Sequence, residues 1–347
     1  MHITVDLNET DLLSRMRNFE DQMVERKTVK DEKDWKRAAV AFANSAPIGY
    51  PAVLYIGVRD NGEIETPQKD LEEVAKKFNI PHWTQDLAES LAQPGVEAVL
   101  LATPTQLHAK QAEQCMRAGK HVMIEIPIAD NLADAERLLK VQKETGVIAM
   151  GGHTRRFNPS HQWIHKRIQA GELKIQQMDV QTYFFRRTNT NALGKPRSWT
   201  DHLLWHHACH TVDLFQYQTG ETASRAQALQ GPKHPQLGIA MDMSIGLKVP
   251  SGAICTLSLS FNNNGPLGTF FRYICDNGTY IANYDDLVDG YQKPIDVTKV
   301  DVSMNGIELQ DREFFAAIRD KREPNASLAQ VLPAMRTLDR LEKSLES

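Results

Sequence analysis

The stretch that decides the fold is VEAVLLATPTQLHAKQAEQCMRAGKHVMIEIPIADNLADAERLLKVQKETGVIAM, residues 96–150. Three short apolar runs within it predict strands: 96–102, 121–126 and 147–150. Two amphipathic segments, each closed by a glycine, predict helices between them: 105–118 and 132–145. Strands that alternate with helices at this spacing form a parallel sheet with helices on its faces. The sequence therefore predicts a doubly wound α/β unit in this region.

The pattern changes after residue 151. Four long strand-like runs follow: 176–186, 240–247, 253–261 and 270–274. They are typical of one large, mostly antiparallel sheet. Two helices are predicted near the end of the chain: 308–318 and 328–345. We therefore expect residues 67–150 and 151–347 to form two domains, with residues 1–66 as a separate segment.

Length and composition limit the class of protein. The chain has 347 residues, 41% of them hydrophobic, which is enough for two domains with their own cores. A formal net charge of −4 argues against a generally basic nucleic-acid-binding protein. No apolar run reaches the ~18 residues of a membrane-spanning helix, and the amino terminus lacks the apolar run of a signal peptide. None of the four cysteines forms a CxxC pair. These features predict a reduced, cytoplasmic protein that binds neither a membrane nor zinc.

Two blocks lie where predicted parallel strands end, which is where open α/β sheets bind ligands. The first block contains Thr103, Pro104 and His108, and the second contains Glu125 and Pro127. Since a carboxylate at this edge can accept hydrogen bonds from ribose hydroxyls, these five residues are candidates for binding a cofactor. The alternatives are an ordinary strand-to-helix turn for the first block and a surface or helix-capping acid for Glu125.

A third block, WHHACHTVD at residues 205–213, contains three histidines and an aspartate. On a helix, His206 and His210 share a face, and Asp213 is a neighbour of His210 one turn later. A carboxylate in that position can orient the imidazole and raise its basicity. We therefore predict that His210 is a general base, with Asp213 and His206 as further catalytic residues. A metal site is the alternative, but the block lacks HExxH or another closed ligand spacing, so no metal is predicted.

The order of the three blocks resembles the Gfo/Idh/MocA family of dehydrogenases, in which a Rossmann half precedes an open-faced sheet domain and the substrate lies between them. The resemblance implies an α/β fold: an incomplete or altered Rossmann-like parallel sheet, then an α+β domain with a large, mostly antiparallel open-faced sheet. It also implies NAD or NADP as the cofactor and a homo-dimer or higher homo-oligomer. The family's Glu-Lys-Pro stands here as Glu125-Ile126-Pro127, so its catalytic lysine is absent, whereas His210 and Asp213 keep the pattern of its Gly-x-His-x-x-Asp motif.

Longer strings narrow the resemblance to one branch of the family: 152–161, 176–187, 197–207 and 257–263. That branch oxidises the cyclic hemiacetal of a protocatechuate 4,5-cleavage product to 2-pyrone-4,6-dicarboxylate with NAD(P)+, which implies a small dicarboxylate substrate. Guanidinium groups match carboxylates in a bidentate way. The candidates for substrate binding are Arg155, Arg156, Arg186, Arg187 and His207. Since adjacent residues on a strand face opposite ways, we expect one of Arg186 and Arg187 to face the substrate.

The amino-terminal segment departs from the family. No Gly-x-Gly-x-x-Gly string, which would bring a phosphate to a helix N-terminus, occurs anywhere in the sequence. Residues 25–27, 41–45 and 54–64 instead resemble the AlbA_2/Schlafen type of DNA-binding domain, which implies a chimera. In that hypothesis NAD(P) binding is weak or absent. The alternative function is then a DNA-binding or regulatory protein, or an inactive one, that retains a relic dehydrogenase domain.

Two further expectations concern this segment. Its lysines between residues 27 and 37 interleave with acidic residues, a pattern typical of a solvated helix face, so nucleic acid is not an expected partner. The alternative to a chimera is a diverged Rossmann domain whose first strand is the apolar run 51–58. We predict that this run pairs with the edge of the parallel sheet, because that edge would otherwise be exposed.

Overall fold

The computed structural model of the chain describes residues 52–54, 75–76, 80, 82–84, 86–189, 200–298 and 306–345. Apart from Leu54, the strings that resemble a DNA-binding domain lie outside these residues. The described part includes both sheets and the segment of chain that connects the first sheet to the second.

The first sheet is parallel throughout. Its strands are β1 (Ala52–Leu54), β2 (Ala98–Leu101), β3 (His121–Ile124) and β4 (Ala149–Gly151), in that spatial order. Its helices are α1 (Leu87–Ala92), α2 (Thr105–Arg117) and α3 (Leu132–Thr145). β1 pairs with β2, with Ala52 opposite Ala98. The prediction that the run 51–58 pairs with the sheet edge is therefore confirmed for its described residues.

Capping residues explain where two of these helices begin and end. The Asp86 carboxylate accepts hydrogen bonds from backbone N–H groups in the first turn of α1. The Asn131 side chain accepts from the N–H of Asp134 at the start of α3. That helix ends at Gly146, whose φ of 69° lies in the left-handed region that glycine adopts without strain. The predicted bounds of α3 are therefore confirmed, because local chemistry sets both ends.

The second sheet has seven strands. They are β5 (Ile175–Tyr183), β6 (Arg225–Gln230), β7 (Asp242–Lys248), β8 (Ile254–Ser260), β9 (Gly268–Cys275), β10 (Gly278–Asn283) and β11 (Asp286–Asp289). Their spatial order is β11-β10-β9-β5-β8-β7-β6, and every neighbouring pair is antiparallel except β5 with β8. The four predicted runs are confirmed as β5, β7, β8 and β9. The sequence analysis missed β6, β10 and β11, which lie toward the two sides of the sheet and lack a long apolar run.

One face of this sheet is covered and the other is open. Along β7, Met243, Ile245 and Leu247 are buried, whereas the residues between them are exposed. This alternation is the period-two pattern of a strand with one solvated face. The predicted fold class, a Rossmann-like parallel sheet followed by a large, mostly antiparallel open-faced sheet, is therefore confirmed.

Helices cover the inner face of the second sheet and join it to the first. They are α4 (Pro159–Gln169), α5 (Cys209–Thr219), α6 (Gly306–Asp320) and α7 (Leu328–Leu345), with a 3₁₀ turn at Thr154–Arg156 and a π-helical segment at Leu203–Ala208. α7 packs against α3 on one side and against α5 and β6 on the other. α7 thus connects the helices of the parallel sheet to those that cover the second sheet. None of the described helices is long and apolar enough to cross a membrane.

Candidate active site

The chain leaves β4 through Gly152 into His153, at the carboxyl edge of the parallel sheet. The Gly152 N–H donates to the carbonyl oxygen of Ile124 (2.7 Å), which draws the ends of β3 and β4 together. A Cβ built on Gly152 would lie 3.2 Å from Oε2 of Glu125 and 3.3 Å from the Ile124 oxygen. The missing side chain therefore lets the Glu125 carboxylate lie directly beside the end of β4.

Replacement of Gly152 by alanine is expected to destabilise the fold by about 1–3 kcal/mol, because the new methyl group meets a backbone oxygen that cannot move freely. Gly246 is the matched control, since a Cβ there meets nothing within 4 Å. Gly246→Ala is expected to be neutral or to stabilise by about 0.5–1 kcal/mol, because glycine inside a strand costs entropy. Urea denaturation of both variants measures the difference, and equal effects would contradict the close packing at Gly152.

The histidine block does not form the single α-helix that the sequence predicts. Leu203–Ala208 is π-helical, and a π turn displaces side chains from α-helical positions. Nδ1 of His206 accepts a hydrogen bond from the N–H of His202 (3.2 Å), and its Nε2 lies 3.7 Å from Oδ1 of Asp130. Burial, with the neighbouring His202, lowers the pKa of His206 to about 3. His206 therefore faces Asp130, and the shared face and catalytic role predicted for it with His210 stay predictions.

Asp213 is held by Arg156 and not by His210. Nε of Arg156 donates to Oδ2 of Asp213 (2.7 Å) and Nη2 donates to Oδ1 (2.6 Å), and both side chains are buried. Nδ1 of His153 lies 3.3 Å from the same Oδ2. Burial opposes ionisation of Asp213, but the charges of Arg156 and His153 outweigh it, so the pKa of the carboxyl is lowered. The prediction that Asp213 orients His210 is corrected, because a guanidinium that bonds both oxygens is the stronger partner of a buried carboxylate.

His210 lies in the first turn of α5 and is partly accessible. Among the described residues, its Nδ1 has no hydrogen-bond partner. Burial lowers the pKa of His210 well below the usual value, and the charges of Arg155, His153 and His207 lower it further. The imidazole is therefore neutral near pH 7, the state that a general base requires. Its catalytic role stays a prediction.

Arg186 and His207 share a buried carboxylate. Arg186 forms a bidentate ion pair with Asp201, in which Nη2 donates to Oδ2 at 2.6 Å. Nε2 of His207 lies 3.2 Å from the same Oδ2. The guanidinium groups of Arg186 and Arg156 thus each satisfy a buried carboxylate of the chain itself, and the substrate contacts predicted for them stay predictions. The contact proposed for His207 stays a prediction.

Arg155 and Arg187 differ in exposure and surroundings. Arg155 is buried, its guanidinium lies 4.7 Å from the centre of the Tyr284 ring, and its charge acts on His210. Arg187 is exposed and donates from Nη1 to the carbonyl oxygen of Arg186 (2.7 Å). Arg186 and Arg187 thus face opposite ways, as expected of adjacent residues. Arg155 is the predicted arginine whose charge acts on the candidate base.

The first cofactor block is partly structural. The buried ring of His108 lies between two carbonyl oxygens, with Nε2 2.6 Å from that of Thr103 and Nδ1 2.8 Å from that of Pro127. The ring connects the end of β2 to the loop after β3. The cofactor contact predicted for His108 stays a prediction. Oγ1 of Thr103 donates to Oε1 of Gln111 (2.6 Å).

Other groups at this edge fit the nicotinamide end of a dinucleotide. α2 begins after Pro104 without a side-chain cap, so its N-terminus suits an anion. The Glu125 carboxylate is partly exposed and can accept from ribose hydroxyls. Beside it, His153 is buried with neither ring nitrogen hydrogen-bonded to a described residue. The predicted cofactor-binding residues lie at this edge and stay predictions: Thr103, Pro104, His108, Glu125 and Pro127.

The sequence analysis missed three residues of this site. His153 follows the carboxyl end of a parallel strand, so the strand-end rule could have found it. No spacing rule relates Asp201 to Arg186, because their pairing depends on the path of the chain after β5. Asp130 was not predicted either, and burial raises the pKa of its carboxyl to about 6.

The fold and the site are those of a nicotinamide-dependent dehydrogenase: the carboxyl edge of a parallel sheet and a neutral imidazole occur together with a large antiparallel sheet. The family described as an oxidoreductase family with an NAD-binding Rossmann fold matches residues 62–153, and the bacterial oxidoreductase C-terminal family matches residues 159–301. The chain belongs to the Gfo/Idh/MocA family of oxidoreductases. The predicted class of enzyme and the predicted nicotinamide cofactor are therefore confirmed.

Known proteins resemble the chain either in sequence or in fold. It is 67% identical over 290 residues to 4-carboxy-2-hydroxymuconate-6-semialdehyde dehydrogenase of Sphingobium sp. (strain NBRC 103272 / SYK-6), covering 84% of this chain and 92% of that protein. UDP-N-acetylglucosamine 3-dehydrogenase from Acidithiobacillus ferrooxidans has the same fold, with a TM-score of 0.71, 18% identity and coverage of 90% and 94%. So has an oxidoreductase from Agrobacterium radiobacter in complex with NAD+, L-tartaric acid and magnesium (TM-score 0.68, 16% identity, coverage of 90% and 94%).

Proposed function

We propose that the chain oxidises the cyclic hemiacetal of 4-carboxy-2-hydroxymuconate-6-semialdehyde to 2-pyrone-4,6-dicarboxylate with NADP+ or NAD+, in the breakdown of aromatic compounds. The observation that carries the proposal is the neutral, partly accessible imidazole of His210 near the buried guanidinium of Arg155. A base and a cation together suit a substrate with a hydroxyl to deprotonate and a carboxylate to bind. The name of the Sphingobium relative supports this choice of substrate.

Each residue of the proposed site has its own role in the reaction. Arg155 binds a substrate carboxylate, and this contact orients the ring of the hemiacetal. His210 accepts the hydroxyl proton, which leaves electron density on the oxygen for the new carbonyl bond. A bound nicotinamide cofactor supplies the acceptor for the hydride, and Glu125 and the N-terminus of α2 would hold it. Asp213 and Asp201 keep Arg156 and His207 in place around the base.

Ile126 stands where the family's lysine would supply an ammonium group, and its side chain is buried at 4% exposure. The position therefore offers neither a proton nor a charge. A hemiacetal hydroxyl needs only one acceptor for its proton, and the neutral His210 suffices for this step. The loss of the lysine is thus compatible with oxidation of a hemiacetal.

Incubation of the purified chain with the freshly prepared hemiacetal and either NADP+ or NAD+ tests the proposal. The expected result is reduced nicotinamide, followed by its absorbance, in equal amount to the pyrone product, identified by mass spectrometry. Calorimetric titration of each cofactor is run in parallel, because the sequence lacks the glycine-rich phosphate loop. Cofactor binding without turnover would contradict the proposed substrate. No cofactor binding at millimolar concentration would contradict the proposed dehydrogenase activity of this chain.

Replacement of Arg155 by glutamine is expected to raise KM for the dicarboxylate about 10- to 100-fold with a smaller change in kcat, because a charge-assisted hydrogen bond contributes about 1.5–3 kcal/mol. Arg272→Gln is the matched control, since Arg272 is exposed on β9 of the second sheet. Steady-state kinetics at constant cofactor concentration measures both variants. An unchanged KM for Arg155→Gln would remove this residue from the substrate site.

A DNA-binding role is the second candidate function, favoured by the amino-terminal strings at residues 25–27, 41–45 and 54–64. It predicts an affinity for duplex DNA that falls steeply with salt, because counterions are released from the phosphates. Fluorescence anisotropy with a labelled duplex at several salt concentrations measures this. No binding of the duplex at low salt would exclude the DNA-binding function.

We also propose a homo-oligomer paired through the open face of the second sheet. In support, this face presents short side chains such as Ser244 and Thr256 between the exposed Leu229 and Ile254, and only its opposite face is covered by described helices. Light scattering after gel filtration measures the mass, and a monomer at micromolar concentration would contradict the proposal.

A further inference from the structure

Tyr284 has a backbone conformation that aromatic residues rarely adopt. It is the first of the two residues in the turn between β10 and β11, where Asn283 lies opposite Asp286. Its φ is 51°, in the left-handed region. Tight two-residue hairpin turns require positive φ at this position, and glycine or asparagine usually supplies it. A bulky side chain makes the conformation costly, so we looked for a contact of the ring that outweighs the strain.

The ring of Tyr284 lies against the guanidinium of Arg155. The Cζ atom of Arg155 is 4.7 Å from the centre of the Tyr284 ring and 6.0 Å from the centre of the Phe271 ring on β9. The shorter distance is well within the range of cation–π contacts. Arg155 is buried, which strengthens the contact because little water screens it. The hydroxyl oxygen of Tyr284 also accepts from the N–H of Thr269 (3.4 Å), so the ring is fixed at its far end.

The chain segment that carries Arg155 also holds the turn that carries the ring. Oγ of Ser160 donates to the carbonyl oxygen of Tyr284, and Nδ2 of Asn158 donates to Oδ1 of Asp285 (2.7 Å). Asn158 and Ser160 are both buried, and they follow Arg155 closely in the chain. The position of the ring relative to the guanidinium is therefore set by hydrogen bonds between the same two pieces of chain.

We propose that Tyr284 is a positioning residue for substrate binding, whose ring holds the guanidinium of Arg155 at the place where it meets a substrate carboxylate. The inference rests on the proposed function, in which Arg155 binds that carboxylate. Arg156 and Arg186 are held by carboxylates of the chain, which balance their charge. An aromatic ring restricts a guanidinium without adding a negative charge that would compete with the ligand. A guanidinium that is ordered in advance also loses less entropy when the ligand binds.

Tyr284→Leu tests the proposal, because leucine fills part of the same space but has no aromatic face. We expect KM for the hemiacetal to rise about 5- to 25-fold with kcat changed less than about threefold, because a buried cation–π contact is lost. Tyr284→Phe keeps the ring and should stay within about twofold of the unmodified chain. Tyr291→Leu is the matched control, since Tyr291 is 94% exposed in the turn after β11, and its kinetics should be unchanged.

Combination with Arg155→Gln separates positioning from a general loss of structure. If the ring acts through Arg155, Tyr284→Leu should raise KM in the unmodified chain but not in the Arg155→Gln variant. Tyr284→Gly is a second variant without the ring, because glycine adopts the φ of the turn without strain, and it should raise KM as Tyr284→Leu does. An equal rise in KM in both backgrounds would overturn the proposal. So would an unchanged KM in Tyr284→Leu and Tyr284→Gly, or a Tyr284→Phe variant as impaired as Tyr284→Leu.

Calorimetric titration with 2-pyrone-4,6-dicarboxylate distinguishes this inference from the proposed function. A chain that does not oxidise the hemiacetal, but binds the dicarboxylate more weakly in Tyr284→Leu than in Tyr284→Phe, would contradict the proposed function and support the positioning role. Equal affinities in the two variants would overturn the positioning role and leave the proposed function intact. No turnover together with no binding at millimolar concentration would overturn both.

Discussion

Replacement of His210 by glutamine is expected to lower kcat about 100- to 10,000-fold, because loss of a positioned general base removes that much rate. Cofactor affinity should change little, since the groups that fit the cofactor belong to the parallel sheet and to α2. Glutamine fills much of the same volume and brings no charge into the buried site. The loss should therefore be confined to the chemical step.

Rapid mixing of the enzyme–cofactor complex with substrate measures that step directly. His82→Gln provides the matched control, because the His82 side chain is exposed. A His210→Gln variant with more than about a tenth of the original rate would show that another group accepts the proton. His207 would then be the first residue to test, since its Nε2 already lies 3.2 Å from a carboxylate.

Replacement of Asp213 by alanine is expected to destabilise the protein by about 3–5 kcal/mol, because it leaves the buried guanidinium of Arg156 without its partner. Arg156 also donates from Nη1 to Oε1 of Gln330 on α7 (3.2 Å), so the loss should loosen the contact between α7 and the site. Chemical denaturation followed by circular dichroism measures the free energy of unfolding.

Asp339→Ala is the matched control for this substitution. Asp339 forms an ion pair of similar length with Lys343 (2.8 Å), but that pair lies on the surface of α7 and is expected to contribute less than about 0.5 kcal/mol. Similar losses in the two variants would contradict the buried pair as a source of stability.

The ionisation of Asp213 also predicts a dependence on pH. Its pKa in the folded protein is lowered from the usual 3.8, so its ionised form stabilises the fold at every pH above that value. This contribution is lost as pH falls through the lowered pKa. The difference in unfolding free energy between the protein and Asp213→Ala should therefore be constant near neutral pH and shrink in strong acid.

Much of the fold follows from local patterns. The run 51–58 is apolar and of strand length, and β1 lies within it at the predicted edge. Asn131 and Gly146 mark the ends of α3 because capping depends on residues adjacent in sequence. The strands β6, β10 and β11 escaped prediction because pairing with neighbours, rather than their own composition, makes them strands.

The site was predictable in its location but not in its pairings. The strand-end rule selected Glu125, helical spacing selected His210, and the match of guanidinium groups to a dicarboxylate substrate selected Arg155. None of these rules showed that Asp213 pairs with Arg156 and His153, or that Asp201 pairs with Arg186. These partners are distant in sequence, and helical spacing favoured the wrong partner for Asp213.

The sequence by itself determined the class of fold and the chemical groups available to the site, because periodicity, capping and residue type act over a few neighbouring positions. The tertiary structure alone decided which carboxylate stabilises which base. Burial strengthens each charge pair and leaves room for one partner at hydrogen-bonding distance, and that partner depends on how the two sheets pack. His153 shows the consequence: it lies 60 residues before Asp213 in the chain, yet its Nδ1 is 3.3 Å from Oδ2 of that carboxylate.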